Sequence, residues 1–321
     1  MRLLVLGGTS FIGRHLVDAA LVHGHEVILF HRGRTNPGLF PQAEHRYGDR
    51  STGDYTSLAN GRWDATVDVS GYLPRHVDQA LTALSDRQGH YVFVSSVAAY
   101  DADALRRDED SPLWPPPGPD TEAITPATYG PSKAAAERQV QRHCAPEGWS
   151  VVRPTYVVGP HDPTDRFTYW ARAVAHGGTV AVAWPQEPVQ IIDVRDLADF
   201  LLTLAATRRS GSFDAVGPSL PLAEMLREIA DPARPVTLVD VGGQALDEEG
   251  VVLPLIDGDP ANRALLTRPG ARAFAAGLHT RSPRETARAT AEWDRERGSP
   301  PLAAGPTPAQ HAALLTRATP G

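Results

Sequence analysis

Tyr129 and Lys133 stand four residues apart in TYGPSK, residues 128–133. On a helix, positions i and i+4 are neighbours. A tyrosine phenol ionises near pH 10 in water. An ammonium about 4 Å away, at an effective dielectric near 20, favours the phenolate by roughly 4 kcal/mol. That is enough to lower the phenol pKa by up to about three units. Such a phenol can give or take a proton near neutral pH. Lys133 is also the only lysine among 321 residues, beside thirty arginines. Where charge alone matters, this chain uses arginine. The position therefore asks for what a guanidinium lacks: a compact point charge with three rotatable donors. It could hold two ribose hydroxyls and still face the tyrosine.

A hydroxyl that could polarise a substrate carbonyl comes from Ser95 or Ser96, which end the run HYVFV. Serines at the carboxyl end of a central strand lie at the rim where open α/β sheets bind ligands. Adjacent residues on extended chain point opposite ways, so only one serves. Ser96 is the choice for the carbonyl, and Ser95 is grouped with the cofactor contacts. A capped strand end is the other reading of this pair.

GGTSFIG, Gly7 to Gly13, follows a strand and opens a helix. That is the setting of a dinucleotide-binding turn. Gly7 permits the turn, Gly8 and Ser10 let backbone N–H groups approach a pyrophosphate, and Gly13 lets the helix pack closely. Thr9, Phe11 and Ile12 complete the same turn. The helix N-terminus adds partial positive charge. After the second strand the chain reads His31, Arg32, Gly33, Arg34, with no acidic residue to hold a ribose 2′-hydroxyl. Two guanidiniums there suit a 2′-phosphate, so the expected cofactor is NADP rather than NAD. The alternative is that both arginines only face water. Asp49, followed by Arg50, is placed to reach the adenine. Val69, Ser70 and Gly71 close another strand on the same rim.

Those side chains need a frame. Arg2–Leu6, Glu26–Phe30, Ala65–Val69, His90–Val94 and Ser150–Val152 read as buried strands, with helices at 11–22, 74–85 and 128–145. Alternating strands and helices predict an α/β fold, a Rossmann-type doubly wound parallel sheet, over residues 1–155. Segment 101–127 is acidic, proline-rich and long for a connection, and is expected to be a lid loop. From 156 to 300, strands at 179–183, 189–192, 212–216 and 236–240 mix with helices near 164–176, 195–207 and 282–297. They predict a smaller, mainly substrate-binding lobe, and 301–321 is a Pro/Ala-rich tail ending in a weak helix.

Composition narrows the partners. Net charge is −7, from 31 basic against 38 acidic residues, which argues against nucleic acid and anionic membrane. A small-molecule substrate is expected. One cysteine, Cys144, excludes an internal disulfide and suits a reducing, cytoplasmic location. MRLLVLGG is too short an apolar run for a signal sequence, and no stretch approaches the roughly 20 apolar residues of a membrane helix. His23 with His25, and His161 with Asp165, lack a third ligand at suitable spacing, so no metal is expected.

GGTSFIG, FVSSVAAY, YGPSK, VRPTYVVGPHD and IIDVRDLA (191–198) occur in one order along the chain. This order resembles the extended branch of the short-chain dehydrogenase/reductase superfamily, the NAD-dependent epimerase/dehydratase-like proteins. The resemblance implies Tyr129 as acid/base, Lys133 as ribose holder and tyrosine tuner, and Ser96 as carbonyl partner. It implies that Arg153, Pro154 and the following loop line nicotinamide and substrate. It also implies a homodimer through the helix bearing Tyr129. Two departures stand out: Ser10 replaces the middle glycine, and Ser96 and Tyr129 are 33 positions apart (129 minus 96). GPHDPTDRFTYW, residues 159–170, is similar to the signature of an atypical, reductase-like subgroup. That subgroup is in part like chloroplast RNA-associated proteins. In it Asp165, Tyr169 and Trp170 have helical spacing and read as packing. Tyr72, Tyr156, His161 and Arg166 are the candidates for substrate contact.

The expectation is thus an NADP(H)-dependent oxidoreductase acting on a small carbonyl, alcohol or imine. One alternative is a nucleotide-sugar epimerase or dehydratase that retains its cofactor. Ser96-Val97 offers no extra acid/base pair for dehydration. A second alternative is a non-catalytic, NADP-sensing or RNA-associated protein.

Overall fold

Strands covered on both faces need unbroken apolar runs, and RLLVL and HYVFV supply them. Leu3 to Leu6 and Tyr91 to Phe93 are all completely buried. The computed structural model describes residues 1–101, 108–118, 121–256 and 258–318. Of the expected lid loop, residues 102–107 and 119–120 lie outside the described residues, as do 319–321 of the tail. The strands are β1 (Arg2–Leu6), β2 (Glu26–His31), β3 (Glu44–Tyr47), β4 (Ala65–Asp68), β5 (His90–Val94), β6 (Trp149–Pro154), β7 (Tyr156–Val158), β8 (Gly178–Val182), β9 (Pro188–Asp193), β10 (Gly211–Ala215), β11 (Ser219–Pro221) and β12 (Val236–Asp240). The helices are α1 (Phe11–Val22), α2 (Pro74–Leu84), α3 (Pro126–His143), α4 (Arg166–Ala175), α5 (Val194–Thr207), α6 (Leu222–Ile229), α7 (Gly242–Glu249), α8 (Pro260–Arg263), α9 (Ala271–Ala275), α10 (Pro283–Glu296) and α11 (Pro308–Ala318).

The chain divides into two units. The first comprises Met1–Thr155, Val194–Val216 and Arg268–His279. Its seven strands run in the order β10-β6-β5-β4-β1-β2-β3, and every neighbouring pair is parallel. This is the Rossmann-type doubly wound sheet expected from the sequence, with its topological switch between β1 and β4. Helix α1 packs on α5, and α2 on α3. Segments 194–216 and 268–279, expected in the smaller lobe, belong here. Strand β10 extends the sheet by pairing with β6, from Gly211 opposite Ser150 to Ala215 opposite Pro154.

The second unit comprises Tyr156–Asp193, Gly217–Thr267 and Thr280 onward. It holds a three-stranded sheet, β11-β9-β7, and the parallel pair β12-β8. Trp170 is fully buried in its core, and the indole Nε1 donates to the Pro254 carbonyl at 2.8 Å. The GPHDPTDRFTYW stretch opens α4. Asp162 Oδ1 accepts from the Thr164 amide and hydroxyl at 2.9 and 2.7 Å. Asp165 accepts from Arg297 at 2.6 Å and from the Ala303 amide at 3.1 Å. These bonds tie the head of α4 to the chain after α10.

Candidate active site

The turn after β1 is built from backbone. Gly7 and Gly8 have φ of +117° and +105°, a region open to glycine but strained for other residues. A Cβ on Gly7 would lie 2.7 Å from the Val69 side chain, one on Gly8 2.8 Å from Leu29, and one on Gly13 2.6 Å from the Gly8 nitrogen. The third glycine therefore sets how closely α1 approaches the turn. Ser10 stands at the helix N-cap with extended backbone. The turn after β4 lies against this one. The Val69 side chain would meet a Cβ on Gly7 at 2.7 Å or on Gly13 at 3.1 Å, and the Ser70 hydroxyl donates to the Leu6 carbonyl at 2.9 Å. Thr9, Phe11, Ile12, Val69, Ser70 and Gly71 thus share one rim of the sheet. A cradle of backbone N–H groups with no room for side chains fits a pyrophosphate.

Residues 31–34, which end β2 and follow it, include no acidic side chain. His31 is buried, and its Nδ1 accepts from the Gly33 amide at 3.0 Å. Its Nε2 faces His45 Nδ1 at 2.8 Å, and His45 Nε2 meets the Phe40 carbonyl at 3.0 Å. The amide at one end and the carbonyl at the other fix both tautomers: each ring is neutral and carries its proton on Nε2. Burial, then His45, holds the His31 pKa below its usual value. Arg32 and Arg34 are exposed on the following loop. Asn36 pins that loop by donating to the Thr9 carbonyl at 2.9 Å. Asp49 lies 3.8 Å from Arg34 and accepts from the Ser51 hydroxyl and amide, which lowers its pKa.

Arg50, grouped by sequence with the cofactor contacts, is a buried structural cation. Its two terminal nitrogens reach the Asp68 carboxylate at 2.6 and 2.8 Å. They also reach the Ser70 hydroxyl and the His76 carbonyl, both at 2.9 Å. The Tyr91 hydroxyl completes the cluster on Asp68 at 2.8 Å. The pair locks the loop after β3 to the end of β4.

Lys133 is 4% exposed. Its Nζ donates to the Gly71 and Val94 carbonyls, both at 2.9 Å, at the ends of β4 and β5. Burial depresses its pKa to about 8; the Asp68 and Glu137 carboxylates oppose the fall and Arg50 adds to it. Tyr129 is half-buried in the first turn of α3, and its amide donates to the Thr125 carbonyl at 2.9 Å. Gly130 brings this turn to the serine strand end: a Cβ there would lie 2.2 Å from the Ala98 carbonyl oxygen. Ser96, two residues earlier, is partly exposed and its Oγ accepts from the Ala98 amide at 3.2 Å. Ser95 points the other way. It is buried and donates to Glu137 Oε1 at 2.5 Å.

Arg153, implied by resemblance to line nicotinamide and substrate, is 3% exposed and pairs with Glu137 at 2.6 and 2.9 Å. It also donates to the Tyr100 hydroxyl, which in turn donates to Asp214, each at 2.7 Å. Arg268 closes the network on Asp214 at 2.7 Å. Sequence reasoning missed Glu137, Asp214 and Arg268, and their spacing gives no signal. Pro154 is buried at the end of β6. In the second unit, the Arg166 guanidinium lies 5.1 Å from the Tyr156 ring centroid, so these two substrate candidates are together there. His161 has φ of +67° and its ring lies 5.3 Å from that of Trp293.

A parallel sheet with a backbone cradle after β1, a serine ending β5 and a Tyr-x-x-x-Lys helix beside it define an extended short-chain dehydrogenase/reductase. Residues 3–215 match the model of the NAD dependent epimerase/dehydratase family. The chain belongs to that family. It is 26% identical over 230 residues to chloroplast stem-loop binding protein of 41 kDa b of Arabidopsis thaliana. That match spans 65% of this chain but only 56% of the relative. Among solved structures, the Bordetella bronchiseptica enzyme WbmH in complex with NAD+ has a TM-score of 0.64 at 16% identity, over 92% of this chain and 99% of that one. TunA, an NAD-dependent NDP-hexosamine 5,6-dehydratase, has a TM-score of 0.65 at 21% identity, over 92% and 98%. At such identities the likeness carries the fold.

Proposed function

We propose that this enzyme is an NADP(H)-dependent oxidoreductase that interconverts a small carbonyl or imine and its reduced form. The observation that carries this reading is the buried Lys133 ammonium, held at the ends of β4 and β5 one helical turn from Tyr129. When bound, a nicotinamide dinucleotide supplies a ring that accepts or donates hydride. Gly7 to Gly13 hold its pyrophosphate, and Arg32 and Arg34 take the 2′-phosphate. Two of the three Lys133 donors go to carbonyls, and the third holds a ribose hydroxyl. Ser96 orients the substrate oxygen. Tyr129 moves the proton to or from that oxygen through its phenol, supported by the neighbouring positive charge. The protein works in the cytoplasm on a small-molecule substrate.

The test is direct binding of NADPH and NADH to the purified protein by calorimetry, followed by turnover on a panel of carbonyl compounds. Tighter NADPH binding with substrate-dependent oxidation supports the reading. Equal affinities, or no binding, overturn the NADP assignment. A second reading, epimerisation or dehydration of a nucleotide sugar, is supported by the family. TunA is named for such a dehydration. In that case turnover proceeds without added dinucleotide, and heating the protein releases a retained one.

A further inference from the structure

Two aromatic rings beside the Lys133 ammonium are of unequal standing. Its Nζ lies 5.0 Å from the ring centroids of both Tyr72 and Phe93. Phe93 belongs to β5 and is completely buried, so the sheet core fixes it. Tyr72 is 50% exposed and directly follows Gly71, whose carbonyl accepts one of the lysine protons. A half-exposed ring therefore flanks a side chain that is itself almost fully out of water.

An ammonium removed from water needs other partners to remain charged. Two carbonyls provide part of this. The Asp68 carboxylate of β4 and the Glu137 carboxylate of α3 favour the charge, and Arg50 opposes it. Asp68 is shared with Arg50 and with the Tyr91 hydroxyl, so its field at Lys133 is partly spent. Tyr129 lies one turn earlier on the same helix. The negative face of an aromatic ring attracts a desolvated cation, and Tyr72 presents such a ring from the turn after β4.

We propose that Tyr72 is a positioning residue for Lys133: its ring face holds the ammonium charged and centred between the Gly71 and Val94 carbonyls. The importance of that charge rests on the oxidoreductase reading; the effect of the ring on it does not. With one lysine in the chain, protein grown on lysine labelled with carbon-13 at Cε gives a single lysine signal. Its shift against pH reads Lys133 alone.

The titration midpoint, near pH 8 in the parent protein, is expected to fall by about one unit in Tyr72→Leu, which keeps bulk but removes the ring. In Tyr72→Phe, which keeps the ring, it stays in place. The alkaline limb of kcat moves with the midpoint. An unchanged or raised midpoint in Tyr72→Leu overturns the proposal, as does an equal fall in both variants, which would assign the effect to the hydroxyl. Tyr72→Met carries the same expectation if the leucine variant folds poorly. A midpoint that falls in a protein binding no dinucleotide supports the role of Tyr72 and counts against the reaction. A midpoint that stays while turnover persists does the reverse.

Discussion

Lys133 Nζ donates to the carbonyl of Gly71 at 2.9 Å, and Gly71 has no space for a side chain: a Cβ would lie 2.7 Å from Phe93 and 2.8 Å from Val77. The acceptor is thereby fixed. A guanidinium is planar and wider than an ammonium, so it is not expected to reproduce the paired bonds to the Gly71 and Val94 carbonyls. Lys133→Arg is expected to lower kcat by about 10²–10⁴-fold, the range of an acid/base contribution, although charge is conserved. Steady-state kinetics at saturating dinucleotide check this, and a variant within threefold of the parent would remove lysine from the chemistry.

Titration of Lys133 gives opposite trends for activity and stability. Its pKa in the folded protein, about 8, lies below the value of 10.5 for an unperturbed lysine. Between those values the unfolded chain binds more protons, so this group makes stability rise with pH. Its charge is lost from the folded protein over the same rise. We expect kcat/KM to fall as pH passes about 8, with no accompanying loss of melting temperature up to about pH 9.5. Parallel rate and melting profiles separate loss of charge from unfolding.

Arg34 is exposed, with 72% of its side chain accessible, so its contribution is that of a screened charge. Arg34→Ala is expected to weaken NADPH by about tenfold, the lower end for a charge-assisted hydrogen bond, and to leave NADH unchanged. The difference should shrink as salt rises. Calorimetric titrations at low and high ionic strength decide it. Equal losses for both dinucleotides would place the arginine elsewhere.

Gly13→Ala forces a methyl to within 2.6 Å of the Gly8 nitrogen, a backbone atom that cannot give way. Overpacking of this kind destabilises by about 1–3 kcal/mol and opens the cradle. We expect a lower melting temperature and at least about tenfold weaker dinucleotide binding. Gly38→Ala, where a Cβ meets nothing within 4 Å, is the neutral control.

Asp68→Asn leaves the Arg50 guanidinium buried without its counter-charge. Removing one partner of a buried pair costs about 3–5 kcal/mol. A large drop in the urea midpoint is therefore expected, whereas removing surface Glu26, paired with Arg2, should change the unfolding free energy by less than about 1 kcal/mol.

The sequence exposed β1, β2, β4, β5 and β6 because parallel strands are apolar on both faces, and it exposed the start of α1 because glycines mark the turn before it. Lys133 was visible through its rarity, and strand alternation showed that Ser95 and Ser96 point opposite ways without showing which of them faces the rim. The environment of Lys133 was not visible. Its carbonyl acceptors belong to Gly71 and Val94, and no sequence pattern reports where a backbone oxygen points. Arg50 looked like a cofactor ligand because it follows Asp49, yet Asp68, eighteen residues on, claims it. Arg153 was likewise claimed by Glu137. Long-range ion pairs leave no periodicity to read.

The sheet unit is assembled from three separated stretches of chain, ending with Arg268–His279. On the ribosome, residues 1–155 emerge without the strand that completes one sheet edge and without helix α5. The buried Asp214 waits still longer for Arg268, made 54 residues later. The nascent nucleotide-binding half is therefore obliged to remain incomplete until most of the other half has been synthesised, and a fragment cut at residue 155 should be expected to aggregate rather than fold.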